Sequence, residues 1–286
     1  MIEKYKKITA LFGVIFITAA WGSTFVVVKE SLNGINPLVL VGYRFAVASI
    51  ILILYLFYKK KNIFQNLKEG AVLGVFMWGM YISQTIGLMY TKASNSGFIT
   101  GMYILFIPLL NLIIFRKRFQ KIKIISIVFS LLGIYFLTGG IKSFNKGDFL
   151  TLITAGFCAL HILAADCYMK KDRDIFVITF QQFALTSILS FVLSLTIGYD
   201  FSIGDIKVAK SILYLAIFPT VLAFVIQMYA QKYMSPFKIG ALFALEPIFA
   251  LIMAVQFGSE ILTINSVFGG ILIVAGIILS EIKWRE

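Results

Sequence analysis

Charge is what this sequence has least of. Charged residues make up 14% of its 286 positions, against about 25% in soluble domains. Thirteen residues are acidic, and there is one histidine, His161. No second histidine or carboxylate stands at helical spacing beside it, so no metal site is expected there. The two cysteines, Cys158 and Cys167, fall nine positions apart on one predicted helix. That separation of about 13 Å rules out a mutual disulfide, and both read as apolar packing residues. Between the apolar blocks no loop exceeds about fifteen residues, and none carries the strand, glycine-rich or metal-ligand patterns of a soluble catalytic domain. An ATP-binding motif is also missing. No cofactor is expected, and any function has to be built from the apolar segments.

Those segments dominate the chain. Hydrophobic residues reach 60%, where soluble domains hold about 45–50%, and they fall in blocks of about twenty, the length at which a helix crosses a hydrocarbon core. Breaks at Gly, Pro, Asn and charge clusters place spans near 8–28, 37–58, 69–89, 93–115, 122–139, 148–168, 175–197, 210–231, 238–257 and 265–282. The run after Lys4, Lys6 and Lys7 continues to Val28, beyond the hydrophobic region of a signal peptide, and reads as a retained first span. The formal charge of +13 sits in short runs between blocks, such as Lys59–Lys61 and Arg116–Arg118, rather than on a basic face for nucleic acid. With a cytoplasmic N-terminus, nineteen of the 26 basic residues fall on inside segments. The positive-inside bias therefore predicts both termini in the cytoplasm. The expected class is an all-α polytopic membrane protein of ten transmembrane helices.

A shift of 139 positions superposes Tyr90 on Tyr229, Ser96 on Ser235, Phe98 on Phe237, Gly101 on Gly240 and Pro108 on Pro247 without a gap. Shared Gly and Pro inside apolar blocks point to one structural element used twice, in the fourth and ninth spans. An odd number of spans per half makes equivalent elements cross in opposite directions, giving two inverted five-helix repeats. Such repeats carry a substrate site near the midplane between them. The expected division is a first repeat at 1–141, a linker at 142–147 and a second repeat at 148–286.

Trp21-Gly22-Ser23-Thr24-Phe25, Pro37 with Arg44-Phe45, the stretch from Tyr90 to Ile99, and Leu245-Glu246-Pro247-Ile248-Phe249-Ala250 occur in this order. With them the chain resembles, over nearly its whole length, the two EamA domains of the drug/metabolite transporter superfamily. The resemblance implies a carrier of the bacterial cytoplasmic (inner) membrane with a central cavity between its halves, and amino-acid export is the commonest theme among such carriers. Cys158-Ala159-Leu160-His161 stands where related sequences commonly carry Trp or another aromatic residue.

Glu246 lies eight residues into an apolar span, while its repeat equivalent is Ile107. The halves share the proline and differ in the charge, so the carboxylate is not required merely to build the helix. A buried acid is costly unless paired and suits a residue that gains and loses a proton. It equally suits an acceptor for backbone donors beside a kink. Arg44, about two turns inside the second span, reads as a structural cation whose stem snorkels outward or pins a neighbouring helix. His161 is open to both a packing and a relay role. On helices that the resemblance places around the cavity stand Trp21, Ser23, Trp78, Tyr81, Gln84, Tyr103 and Gln227, with His161 and Glu246 completing the candidate substrate-binding set. Aromatic faces with amide and hydroxyl groups suit a zwitterionic or cationic organic solute. The same residue types also serve as interfacial anchors, as Tyr43 and Trp284 read. Gly97 with Gly101, and Gly240 with Ala244, form small-residue pairs that let helices approach closely.

The leading expectation is an amino-acid exporter working by alternating access, as a monomer or weak homodimer. Uphill transport would draw on a proton or other ion gradient; otherwise the protein is a facilitator. An importer of a vitamin, nucleobase-like solute or sugar phosphate would call for cavity cations. A membrane-embedded enzyme or lipid-handling protein would call for clustered catalytic polar residues.

Overall fold

The computed structural model describes residues 2–115, 121–138, 143–169, 173–233, 242–243 and 245–281. Among these there is no β-strand. The helices are α1 Ile2–Ser31, α2 Pro37–Tyr58, α3 Leu67–Leu88, α4 Ala93–Gly101, α5 Tyr103–Phe115, α6 Lys121–Thr138, α7 Lys146–Met169, α8 Ile175–Ile197, α9 Ile206–Ala216, α10 Ala223–Tyr233, α11 Glu246–Gln256 and α12 Ile264–Glu281. A π-helical turn, Ile217–Leu222, joins α9 to α10. Seven helical stretches are long and apolar enough to cross a bilayer, and three shorter apolar ones lie in α6, α11 and α12. Large apolar side chains such as Phe12, Leu54, Ile113 and Ile271 face outward. In a polytopic membrane protein that surface belongs to lipid.

Three spans depart from simple helices, each for a local reason. The fourth breaks at Met102 into α4 and α5. Pro108 sits inside α5, where it cannot donate to the carbonyl four residues back and its ring crowds that carbonyl. The eighth bulges at Pro219. The carbonyl of Leu215, which Pro219 has no N–H to satisfy, instead accepts from Thr220 Oγ1 at 2.7 Å. In the ninth, Pro247 lies in the first turn of α11, a position where its fixed φ favours the start of a helix. The two repeat-related prolines thus do different work, and Glu246 opens α11 rather than lying deep within a continuous helix. Ser235, Phe237, Gly240 and Ala244 of the sequence repeat lie outside the described residues, as does Trp284.

Side-chain registers give the directions of the helices. On α3, Gly79, Ser83 and Gly87 meet Phe157, Thr154 and Thr151 of α7 in reverse order, so the two run antiparallel. The α2–α8 pair is antiparallel as well, with Gly42 against Phe191 and Tyr55 against Phe176. So is α6–α12, where Gly133 abuts Gly269 and Gly276 abuts Ser130. By contrast α3 and α8 run parallel, Gly70 meeting Gln181 and Gly74 meeting Leu185.

The tightest approach concerns α1, α4 and α11. A Cβ on Gly22 would stand 2.5 Å from Phe249 Cβ, and one on Gly97 would stand 2.4 Å from Ala250 Cβ. Both are well inside ordinary carbon contact, about 3.5–4.0 Å. Glycine is what lets three helices meet there, in keeping with the small-residue reading of Gly97.

Candidate functional site

A cavity lies where α1, α3, α4, α5, α7 and α10 converge with Phe243 and Glu246 at the start of α11. It is lined by Trp21, Thr24, Met80, Tyr81, Gln84, Thr100, Tyr103, Cys158, His161, Ile162, Phe224, Gln227, Phe243 and Glu246. Open to the centres of water-sized spheres is about 60 Å³, room for roughly five waters or a solute of the same bulk.

The lining follows a rule. Six chain segments each contribute residues three apart: Trp21 with Thr24, Tyr81 with Gln84, Thr100 with Tyr103, Cys158 with His161, Phe224 with Gln227, and Phe243 with Glu246. Four of these pairs lie on one helix each, where residues three apart share a face, while Thr100 and Tyr103 flank the break at Met102 and Phe243 precedes α11. Seven of the nine residues singled out from sequence are therefore brought together. The other two stand elsewhere. Ser23 donates to Ala20 O at 2.7 Å and accepts from the Tyr214 hydroxyl at 2.7 Å, which ties α1 to α9. Trp78, half-buried and one turn before Tyr81, does not line the cavity. Thr24, Thr100, Cys158, Phe224 and Phe243 were not singled out, although each lies one turn from a residue that was.

Aromatic rings form one wall. Phe224 is its hub, with ring centroids 5.7 Å from Trp21, 6.3 Å from Tyr81 and 5.7 Å from His161. Trp21 also packs edge-on against Phe243 at 5.0 Å. The polar atoms are held individually. Trp21 Nε1 donates to Pro219 O at 2.9 Å, a carbonyl freed by the π-helical turn. Gln84 Nε2 reaches Thr100 Oγ1 at 3.4 Å. His161 Nε2 meets Gln182 Oε1 of α8 at 2.8 Å. Gln227 Oε1 is buried without a hydrogen-bond partner among the described residues.

The cavity's charge is one-sided. Among the described residues its lining holds one carboxylate, Glu246, and no lysine or arginine. Glu246 is 6% exposed and has no hydrogen bond or ion pair with another described residue. Arg44 sits behind Tyr81 at 2% exposure and does not snorkel. Its Nε donates to Thr220 Oγ1 at 2.7 Å, and its Nη2 donates to Pro219 O at 3.3 Å and to the Tyr81 oxygen at 3.4 Å. The guanidinium carbon lies 4.5 Å from the Tyr81 ring centroid. A cation that deep in the protein is held by hydrogen bonds and a π-face, and it pins α2 to the bulge of the eighth span. Thr220→Val removes the acceptor of Nε and the donor to Leu215 O together. It is expected to lower stability by about 1.5–3 kcal/mol, read as an earlier thermal unfolding midpoint in detergent, with Thr220→Ser close to wild type.

Two polar clusters mark opposite ends of the bundle. At one, Glu260 accepts from Ala93 N at 2.7 Å and from the Ser94 hydroxyl, while Lys29 donates to Thr91 O. Thr91 Oγ1 in turn donates to buried Asp148 at 2.5 Å. At the other, Arg173 pairs with Glu69 at 2.6 Å and Lys61 with Asp174 at 3.0 Å. The Asp174 carboxylate raises the Lys61 ammonium above its ordinary range through their hydrogen bond. Cys158 is buried, whereas Cys167 is exposed rather than packed. Asp166 is half-buried near the end of α7.

Helices enough for many membrane crossings, packed around a cavity with one carboxylate among its described lining residues, define a polytopic α-helical membrane protein with a candidate solute site. The profile of the EamA-like transporter family matches residues 8–139 and again 145–282, and the chain belongs to that family. An uncharacterized transporter of Archaeoglobus fulgidus is 30% identical over 281 residues, covering 98% of this chain and 88% of that one. The uncharacterized transporter YyaM of Bacillus subtilis is 24% identical over 275 residues, covering 91% and 89%. A solved crystal structure shares the fold at a TM-score of 0.70 and 16% identity, covering 95% of this chain and 96% of that one. Relatives in archaea as well as bacteria widen the expectation of a bacterial carrier.

Proposed function

We propose that this protein carries a small organic metabolite, with amino acids first among the candidates, across the cytoplasmic membrane by alternating access. The observation that carries the reading is the origin of the cavity walls. They come from the first, third and fourth spans and from the sixth, eighth and ninth, which are equivalent positions in two five-span halves. A site built from equivalent elements can be reached from either face as the halves exchange conformations. The antiparallel α2–α8 and α6–α12 pairs, second with seventh and fifth with tenth, support inverted halves at 1–141 and 148–286 joined by 142–147. The same reading takes ten spans with both termini cytoplasmic, supported by the basic residues of the inside loops. The Lys29–Thr91 and Glu260–α4 contacts then lie at the outer end.

Within the site, Glu246 and the carbonyl of Gln227 are acceptors for an ammonium group, and the rings of Trp21, Tyr81, Phe224 and Phe243 offer faces to a cation or an apolar side chain. Glu246 is the residue proposed to exchange a proton for the solute and so to couple export to the proton gradient. A cavity with one acid among its described lining residues favours a carrier over a membrane-embedded enzyme, and the working unit is a monomer or weak homodimer. A sugar phosphate or other anion is disfavoured because no lysine or arginine lines the cavity among the described residues.

Cys158 supplies a native reporter, because its thiol lines the cavity. In a Cys167→Ser background, a transported amino acid is expected to slow modification of Cys158 by N-ethylmaleimide. Glu260→Ala, which removes the outer contact with α4, is expected to speed modification by a membrane-impermeant thiol reagent added outside. A transported solute that leaves Cys158 reactivity unchanged would place the pathway elsewhere.

A further inference from the structure

Arg44 does not line the cavity, yet its contact with Tyr81 decides what Tyr81 offers there. A guanidinium has only donors, so in the contact between Arg44 Nη2 and the Tyr81 oxygen the phenol accepts. The phenol hydrogen is left over. Tyr81 is 6% exposed, its hydroxyl has no other hydrogen-bond partner among the described residues, and the residue lines the cavity. Among the described surroundings the cavity can receive that hydrogen. The cation behind the ring strengthens the phenol as a donor, since a hydrogen bond polarises the next one along a chain. Thr220 keeps Arg44 in place by accepting from Nε while donating to Leu215 O. The donor thus rests on the π-helical turn of the eighth span.

Resting on the transport reading above, we infer that Tyr81 binds the anionic end of the solute, with Arg44 as the positioning residue that turns and polarises its hydroxyl, while Glu246 takes the cationic end. The substrate class is a zwitterion whose carboxylate is read by a neutral donor. This assigns anion recognition in a cavity with no lysine or arginine among its described lining residues. It also gives the buried Arg44 charge a partner that arrives with the substrate.

The test uses the full-length protein in detergent, with Cys158 modification in the Cys167→Ser background as a binding readout that is insensitive to passive solute leakage. The twenty amino acids are screened, and the best protector is compared with its amino alcohol, which keeps the ammonium and replaces the carboxylate by a hydroxymethyl group. Wild type should prefer the amino acid by at least about tenfold, the scale of one charge-assisted hydrogen bond. Tyr81→Phe should bring the two ligands to similar half-protecting concentrations, and Arg44→Gln should reduce the preference in the same direction. Glu246→Gln should weaken both ligands. Should Arg44→Gln fail to fold, Tyr81→Phe with Thr220→Val carries the comparison. Equal protection by amino acid and amino alcohol in wild type, or an unchanged preference in folded Tyr81→Phe, would overturn the inference while leaving solute binding in the cavity intact. Protection by none of the twenty would overturn both it and the amino-acid reading beneath it.

Discussion

Glu246→Gln is expected to reduce solute transport at least about tenfold, a loss of 1.4 kcal/mol or more, and to remove the response of transport to a pH gradient. Glutamine keeps the size of the side chain and one carbonyl acceptor but can neither carry charge nor release a proton. Glu246 is buried in the cavity wall without an ion pair among the described residues, so no described neighbour balances its charge. A proton or a bound ammonium group can supply that balance in turn, and occupancy by one would displace the other. Tyr81, Tyr103, Cys158 and His161 are the other titratable groups of the lining. His161 is held through Nε2 by Gln182, which leaves Glu246 as the acid free to exchange partners. The decisive comparison is uptake into proteoliposomes at several external pH values, for wild type and Glu246→Gln. An unchanged pH dependence in the variant would remove Glu246 from proton handling. Persistence of the effect until His161 is also replaced would transfer that role to His161.

The second large effect concerns the helix junction beside the cavity. Gly97→Val is expected to abolish recovery of monodisperse protein, and Gly97→Ala to lower stability by about 1–3 kcal/mol, the usual cost of overpacking. The new methyl of Gly97→Ala would fall 2.4 Å from Ala250 Cβ, and neither helix can retreat freely because Gly22 of α1 presses on Phe249 and Ala250 from the other side. Ala250→Gly removes the opposing methyl. The double variant Gly97→Ala with Ala250→Gly should therefore recover most of the lost thermal stability, as a coupling between residues in contact requires. Additive losses in the double variant would show that the crowding at this junction is not the cause.

Much of the fold was legible because lipid makes the pattern coarse. A block of about twenty apolar residues has few other uses, and 37–58 and 175–197 coincide with α2 and α8 to the residue. The departures are set by proline in tertiary context. Proline gives the same local signal at 108, 219 and 247, but it lies inside α5, in a π-helical turn and in the first turn of α11 respectively. Which of these occurs depends on who takes the freed carbonyls. At Pro219 the partners are Trp21 and Arg44, 198 and 175 positions away in sequence. That distance is also why the sequence left Arg44 open between a snorkelling stem and a pin on a neighbouring helix, of which the structure shows the pin.

The candidate site was legible through its polar residues. Glu246, Gln84, Gln227 and His161 stand out against an apolar background, and all line the cavity. Phe224 and Phe243 did not stand out among 28 phenylalanines. Applying the three-residue period to each polar residue would have found them, together with Thr24, Thr100 and Cys158. Ser23 and Trp78 show the converse. Each sits near a cavity residue on its helix, but their orientations give Ser23 to Tyr214 and turn Trp78 away from the lining.

The central claim is that a solute passes through the cavity between the two halves. Purified protein in liposomes, assayed with a panel of labelled amino acids and other metabolites with and without an imposed pH gradient, tests it most directly. The account predicts saturable movement of at least one zwitterionic solute, accelerated by the gradient and strongly reduced in Glu246→Gln. Failure of the wild-type protein to move any solute of the panel, or full activity in Glu246→Gln under every gradient, would contradict it.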